Sequence, residues 1–119
     1  MAKLPERLKR RAEFLRLAAK GRKVPVHGLV LQALVRADAG PARLGFTVTK
    51  KIGNAVARNR ARRRLKEAAR LVLQGQDLAG VDVVLIGRDA TGQRPFADLM
   101  TDLRRALDKA GVVLPGQAP

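Results

Sequence analysis

The 119-residue chain has no cysteine, no tyrosine and no tryptophan; it has one histidine, three phenylalanines, and only ten acids against 25 lysines and arginines. Without cysteine it can form neither disulfides nor thiolate zinc sites, and nothing points to an oxidising compartment. No apolar run approaches the ~18 residues that suggest a membrane-spanning helix. The arginine-rich start lacks serine, contains Glu6 and Glu13 and does not read as a transit peptide. The expectation is a cytoplasmic protein with no membrane partner. Neither GxxxxGK nor GxGxxG occurs, which argues against nucleotide hydrolysis. Cleavage of phosphodiesters by the protein itself would need clustered carboxylates for metal ions, or a histidine beside a nucleophile. His27 stands alone beside Gly28, and the acids are scattered. Asp98 and Asp102, at i and i+4 of a helix, read as solvating its outer face. No catalytic or metal-ligating set emerges.

What is present is positive charge in two places. Residues 1–23 carry nine bases and two acids, residues 50–70 carry nine bases and the single acid Glu67, and the other 75 residues hold seven of each. The whole formal charge of +15 therefore resides in two segments. At about 100° per residue, Ala57, Ala61, Leu65, Ala68 and Val72 gather into one apolar stripe of a helix. Asn59, Arg62, Arg63, Lys66 and Arg70 gather opposite. A salt-bridged, merely solvated face would need acids at i±3 or i±4, and Glu67 is alone there. Such a helix is suited to phosphates, which makes nucleic acid the expected partner. Aromatic stacking contributes little: Phe96 reads as core, and Phe14 and Phe46 fit either the core or a small stacking surface. Recognition must lean on charge and shape.

Residues 1–119 fit one domain, with 112–119 expected as a loose tail. Phe14, Leu17 and Ala18 mark a helix over residues 11–20, with Gly21 as its C-terminal cap. Leu29 to Arg36 reads as a strand, and the alternation of Leu44, Phe46 and Val48 marks another. These two are expected to form a hairpin. Residues 22–27 add a short strand that Pro25 confines to an edge. Asn54 caps the basic helix, which runs to about Leu73 before Gly75. Val81 to Gly87 reads as a buried central strand. Pro95 opens a last helix whose apolar face is Phe96, Leu99, Met100, Leu103 and Leu107.

With these residues assembled, the chain resembles the protein subunit of bacterial ribonuclease P. The match is densest in TKKIGNAVARNRARRRLKEA, around Lys50, Lys51, Gly53, Ala55, Val56, Arg58, Asn59, Arg60, Arg62, Arg63 and Lys66. RLKRRAEFLRLAAKGRK resembles the family's first helix and RPFADLMTDLRRAL its last. The resemblance implies an α+β domain with a four-stranded sheet, the basic helix lying in a left-handed crossover contrary to the usual right-handed rule. It implies that the RNA subunit is the catalyst, with Mg²⁺ bound chiefly by RNA and none held tightly by the protein. The expected partners are that RNA, in a 1:1 complex with a monomeric protein, and precursor tRNA, whose 5′ leader is removed. Lys50, Lys51, Arg58, Asn59, Arg60, Arg62, Arg63, Lys66 and Arg70 would meet the RNA subunit. A leader cleft between the sheet and the first helix would involve Phe14, Ala18, Gln32 and Phe46. The family commonly carries aromatics where Ala18 and Gln32 stand, so leader grip here is expected to be weaker. A basic ribosomal or RNA-chaperone protein is the alternative, distinguished by its indifference to the leader.

Overall fold

A computed structural model describes residues 5–76 and 78–112. In chain order the elements are β1 (Glu6–Arg7), α1 (Arg11–Lys20), β2 (Arg22–Pro25), β3 (Leu29–Val35), β4 (Arg43–Thr47), α2 (Ala55–Leu73), β5 (Val81–Gly87) and α3 (Phe96–Lys109). Single 3₁₀ turns at Lys50–Ile52 and Asp89–Gly92 precede α2 and α3. The strands form one sheet in the order β1-β4-β5-β3-β2. This is the expected α+β architecture, with a fifth strand added. The extra strand is two residues long and pairs parallel to β4, held by Glu6 N–H to Ala42 O and Leu8 N–H to Leu44 O at 2.9 and 3.0 Å. A pair so short leaves no periodic trace in sequence.

The expected hairpin of β3 and β4 does not form. Strand β5 lies between them, antiparallel to β3 and parallel to β4, so α2 is the crossover that links the parallel pair. The physical reason lies in the one charged residue of β5. Asp82 accepts hydrogen bonds from Arg36, just beyond β3, and from Arg43 at the start of β4. The two arginines that flank the β3–β4 connection therefore close on a third strand between them. As expected, β5 is central and β2, with Pro25, is an edge.

Alternation along the strands separates the two faces of the sheet. Leu29, Leu31, Ala33, Leu44, Val81, Val83 and Leu85 join Leu65, Ala68, Ala69 and Val72 of α2 and Leu99, Leu103 and Leu107 of α3 in the main core. The other face holds a smaller cluster of Leu8, Leu17 and Val84, bordered by Phe14, Leu34 and Ile86, under α1. Val112 is buried in the main core, so the chain is still packed where a loose tail was expected to begin. Residues 113–119 of that expected tail lie outside the described residues.

The solvated role expected for Asp102 is also corrected. Asp102 is buried, accepting from Gly28 N–H at 3.0 Å and from Arg94 Nε and Nη2 at 2.8 and 3.1 Å. Asp98 remains exposed. Thr91, also fully buried, donates from its hydroxyl to Gly28 O at 2.6 Å. Together Asp102 and Thr91 satisfy both backbone groups of Gly28, where the β2–β3 turn meets α3.

Candidate nucleic-acid interface

Helix α2 begins where the side chain of Asn54 accepts from Ala57 N–H at 3.0 Å, which satisfies one of the free donors of the first turn. Its buried stripe is Ala61, Leu65, Ala68, Ala69, Val72 and Leu73, wider in its second half than the sequence stripe. Small alanines bring the helix close to the sheet and leave the long cations on the far side. Asn59, Arg60, Arg63, Lys66 and Arg70 are exposed, Arg58 and Arg62 half-buried. Lys50 and Lys51 are exposed in the 3₁₀ turn that leads into the helix.

The cations of this surface fall into three groups. Lys50, Lys51, Arg58, Arg63 and Lys66 have no hydrogen-bonded or ion-paired side-chain partner among the described residues. Arg62 donates to Asn59 Oδ1 at 3.2 Å, and Arg70 pairs with Glu67 at 2.5 Å and reaches Gln74. The guanidinium of Arg70 lowers the pKa of Glu67 from the ordinary carboxylate value. Arg60 and Arg64 instead grip the segment between β5 and α3. Arg60 Nε donates to Gly92 O at 2.8 Å and Arg64 Nε to Thr91 O at 2.9 Å, while Arg64 Nη2 bonds Arg94 O. Arg64 also lies 5.6 Å from the centroid of Phe96. Burial, and then the nearby Arg60, lower the pKa of Arg64, but a guanidinium stays charged at neutral pH. Of the residues expected at the RNA surface, Arg60 is thus partly committed to the fold.

The four residues assigned to a leader cleft are not brought together. Phe14 and Gln32 share the α1 face of the sheet, and Ala18 is exposed one turn beyond Phe14. The Phe14 ring sits against the backbone of Gly45, where an added Cβ would come within 2.7 Å of it; the missing side chain makes room for the ring. Phe46, next along β4, points to the opposite face, because neighbours in a strand alternate. It packs on the main core beneath α2, with the guanidinium of Arg7 5.5 Å from its centroid. It belongs beside the basic helix. A groove of about 460 Å³ opens there, lined by Pro5, Arg7, Leu44, Phe46 and Ala69 and rimmed by Asn59, Arg62, Arg63, Lys66, Glu67 and Arg70.

A second charged system joins α1 to the sheet. Asp82, 2% exposed, accepts from Arg36 Nη1 at 2.6 Å and from Arg43 Nε and Nη2 at 2.8 and 2.7 Å; Arg43 also pairs with Glu13. Burial raises the Asp82 pKa, but the hydrogen bonds from Arg43 and Arg36 outweigh it and leave it below the ordinary value. Glu13 is lowered chiefly by accepting from the backbone N–H groups of Arg10 and Lys9. Sequence reading missed this system, although a lone acid in an otherwise apolar strand signals a buried ion pair. Among the described residues no group of three or more His, Asp or Glu converges as a metal site.

The fold and this surface define a class: a small α+β domain that shows a row of cations on the outside of its crossover helix. Similarity to known proteins sharpens it. The ribonuclease P family model matches residues 2–111. The ribonuclease P protein component of Gluconacetobacter diazotrophicus is 66% identical over 112 residues, covering 94% of this chain and 97% of that protein. That of Paramagnetospirillum magneticum is 49% identical over 117 residues, with 95% and 88% covered. Among solved structures, a Staphylococcus aureus RNase P protein mutant with defective mRNA degradation activity superposes with a TM-score of 0.76 at 29% identity, over 90% of this chain and 89% of that one. The RNase P protein from Thermotoga maritima gives 0.70 at 26% identity, over 87% and 96%. The chain belongs to the ribonuclease P protein family, and with it to the machinery of tRNA processing.

Proposed function

We propose that this protein binds the catalytic RNA of ribonuclease P through the outer face of α2 and the turn before it, and assists RNA-catalysed removal of the 5′ leader from precursor tRNA. The observation that carries the reading is a set of five cations without a partner among the described residues: Arg63 and Lys66 on the outer face of a helix anchored by its opposite face, half-buried Arg58 in its first turns, and Lys50 and Lys51 in the turn before it. Each held phosphate releases condensed counterions, so such a row supplies affinity that falls steeply with salt. Arg62, Arg70 and the exposed end of Arg60 extend the same surface. Precursor leader lies on the α1 side of the sheet, near Phe14, Ala18 and Gln32, with modest grip because one ring is available there and it is seated on Gly45.

In this reading the protein is the non-catalytic subunit of the endoribonuclease and acts as a monomer, one per RNA. The described residues do not fit a protein-held Mg²⁺ site: Asp82 and Asp102, the buried carboxylates among them, are each occupied by arginine. Catalytic Mg²⁺ is therefore assigned to the RNA. The test is reconstitution of the pure protein with a bacterial ribonuclease P RNA. Precursor cleavage should occur at a lower Mg²⁺ concentration with the protein than without it, since its cations share the screening of phosphates. Protein alone should leave the precursor intact. Cleavage by RNA-free protein, or an unchanged Mg²⁺ requirement, would refute the proposal.

A further inference from the structure

The groove between the β1–β4 edge and α2 has two properties that a plain phosphate-binding surface does not need. It has an aromatic floor, Phe46, and it is deep enough, at about 460 Å³, to fall among small-ligand sites rather than flat surfaces. Its rim carries Arg62, Arg63, Lys66 and Arg70, and the one carboxylate there, Glu67, is already bound by Arg70. An apolar floor within a cationic rim complements one ligand chemistry, a flat ring attached to a phosphate. Arg7 covers the floor, but its side chain has no ion pair or hydrogen bond among the described residues, so its hold there is the ring contact alone. An exposed cation–π contact is weaker than a base–ring stack, so a base can displace the guanidinium or be covered by it.

We propose that this groove receives one unstacked nucleotide of the ribonuclease P RNA subunit, its base on Phe46 and Arg7 and its flanking phosphates on Arg62, Arg63 and Lys66. The inference rests on the RNA-subunit reading and adds to it a base contact on the face of the sheet away from α1. The RNA subunit is preferred to the leader as the source because the rim of the groove is the same row of α2 side chains assigned to that RNA.

The test uses the full chain and a bacterial ribonuclease P RNA. Phe46→Leu keeps an apolar side chain at a half-buried site but removes the ring. It should weaken RNA binding roughly 5- to 150-fold, the factor carried by one base stack, and leave the dependence of log affinity on log salt unchanged, since every cation that holds a phosphate is still in place. Phe46→Trp introduces the only tryptophan of the chain. It should bind like the parent, and its fluorescence should be quenched by the RNA subunit but not by precursor tRNA alone. A Leu variant that binds as tightly as the parent, or a Trp variant that binds the RNA without quenching, overturns the proposal. Quenching by precursor tRNA alone overturns the choice of ligand. Should the Leu variant fail to fold, the Trp variant decides by itself. Failure of the parent to bind the RNA at all would refute the function proposed above, a result distinct from these.

Discussion

Asp82→Asn is expected to be among the most damaging single-atom-scale changes in this protein. The carboxylate is 2% exposed and accepts from two arginines through three bonds of 2.6–2.8 Å. An amide oxygen in the Oδ1 position can still accept from Arg36 Nη1 and Arg43 Nε, but the NH₂ group then faces Arg43 Nη2, and both arginines lose the buried negative charge between them. Arg36, whose side chain is 6% exposed, is then left with the exposed Asp38 as its charged partner. Breaking a buried pair from one side costs about 3–5 kcal/mol. The lower end applies, because Arg43 keeps Glu13. Against a total stability of roughly 5–15 kcal/mol, that is a large fraction. At a few degrees per kcal/mol, the melting temperature should fall on the order of 10 °C. Because the folded-state pKa of Asp82 is depressed, its contribution is fully present above the unfolded-state value near ~3.9 and is lost as pH falls through the folded-state value. The gap between parent and variant should therefore be wide at neutral pH and narrow in acid. Circular-dichroism melts across that range provide the measurement. A variant that melts like the parent at neutral pH, or a gap that stays constant down to strong acid, would refute the argument.

Arg62→Ala with Arg63→Ala should weaken RNA-subunit binding without loss of helicity, and flatten the log affinity versus log salt plot by about 0.7–0.9 for each phosphate no longer held; an unchanged slope would place the RNA elsewhere. Arg64→Ala should act on the fold instead, since it leaves Thr91 O and Arg94 O without their donor; a fall in melting temperature is expected, and an unaltered melt would contradict it. Ala18→Phe, at an exposed position of α1, should preserve stability and tighten precursor binding relative to mature tRNA by up to about 1–3 kcal/mol. Equal tightening of both RNAs would mean that Ala18 does not face the leader.

Periodicity made the helices legible. Ala61, Leu65 and Ala68 are buried as their spacing demands, and Asn54 caps as its place before the helix suggests. The centrality of β5 was legible too, because a run of Val, Leu and Ile survives only between neighbours. Strand neighbours were not, since alternation says which face a residue takes and nothing about which strand lies beside it. The assumption that consecutive strands pair failed on Arg36, Arg43 and Asp82, side chains that meet only in three dimensions. The same limit divided the proposed cleft. The resemblance places Phe14 and Phe46 in one cleft, but Phe46 sits one strand position from Gly45, on which Phe14 rests, and one position is the whole difference between the two faces. The row along α2 was readable because it lies within a single element.

The grip of Arg60 and Arg64 on Gly92, Thr91 and Arg94 fixes the rotation of α2 about its own axis. Turning the helix by one residue would swing its cations through about 100°, and two guanidiniums one turn apart, bound to carbonyls of another segment, resist that movement. From Asn59 to Arg70 the row spans roughly 16 Å at the rise of an α-helix, and this length is in place in the protein alone. The proposed docking on the RNA subunit would then need side-chain ordering but not helix formation, so the heat-capacity change on binding should reflect the area of the interface alone, without the excess that marks a segment folding on its partner.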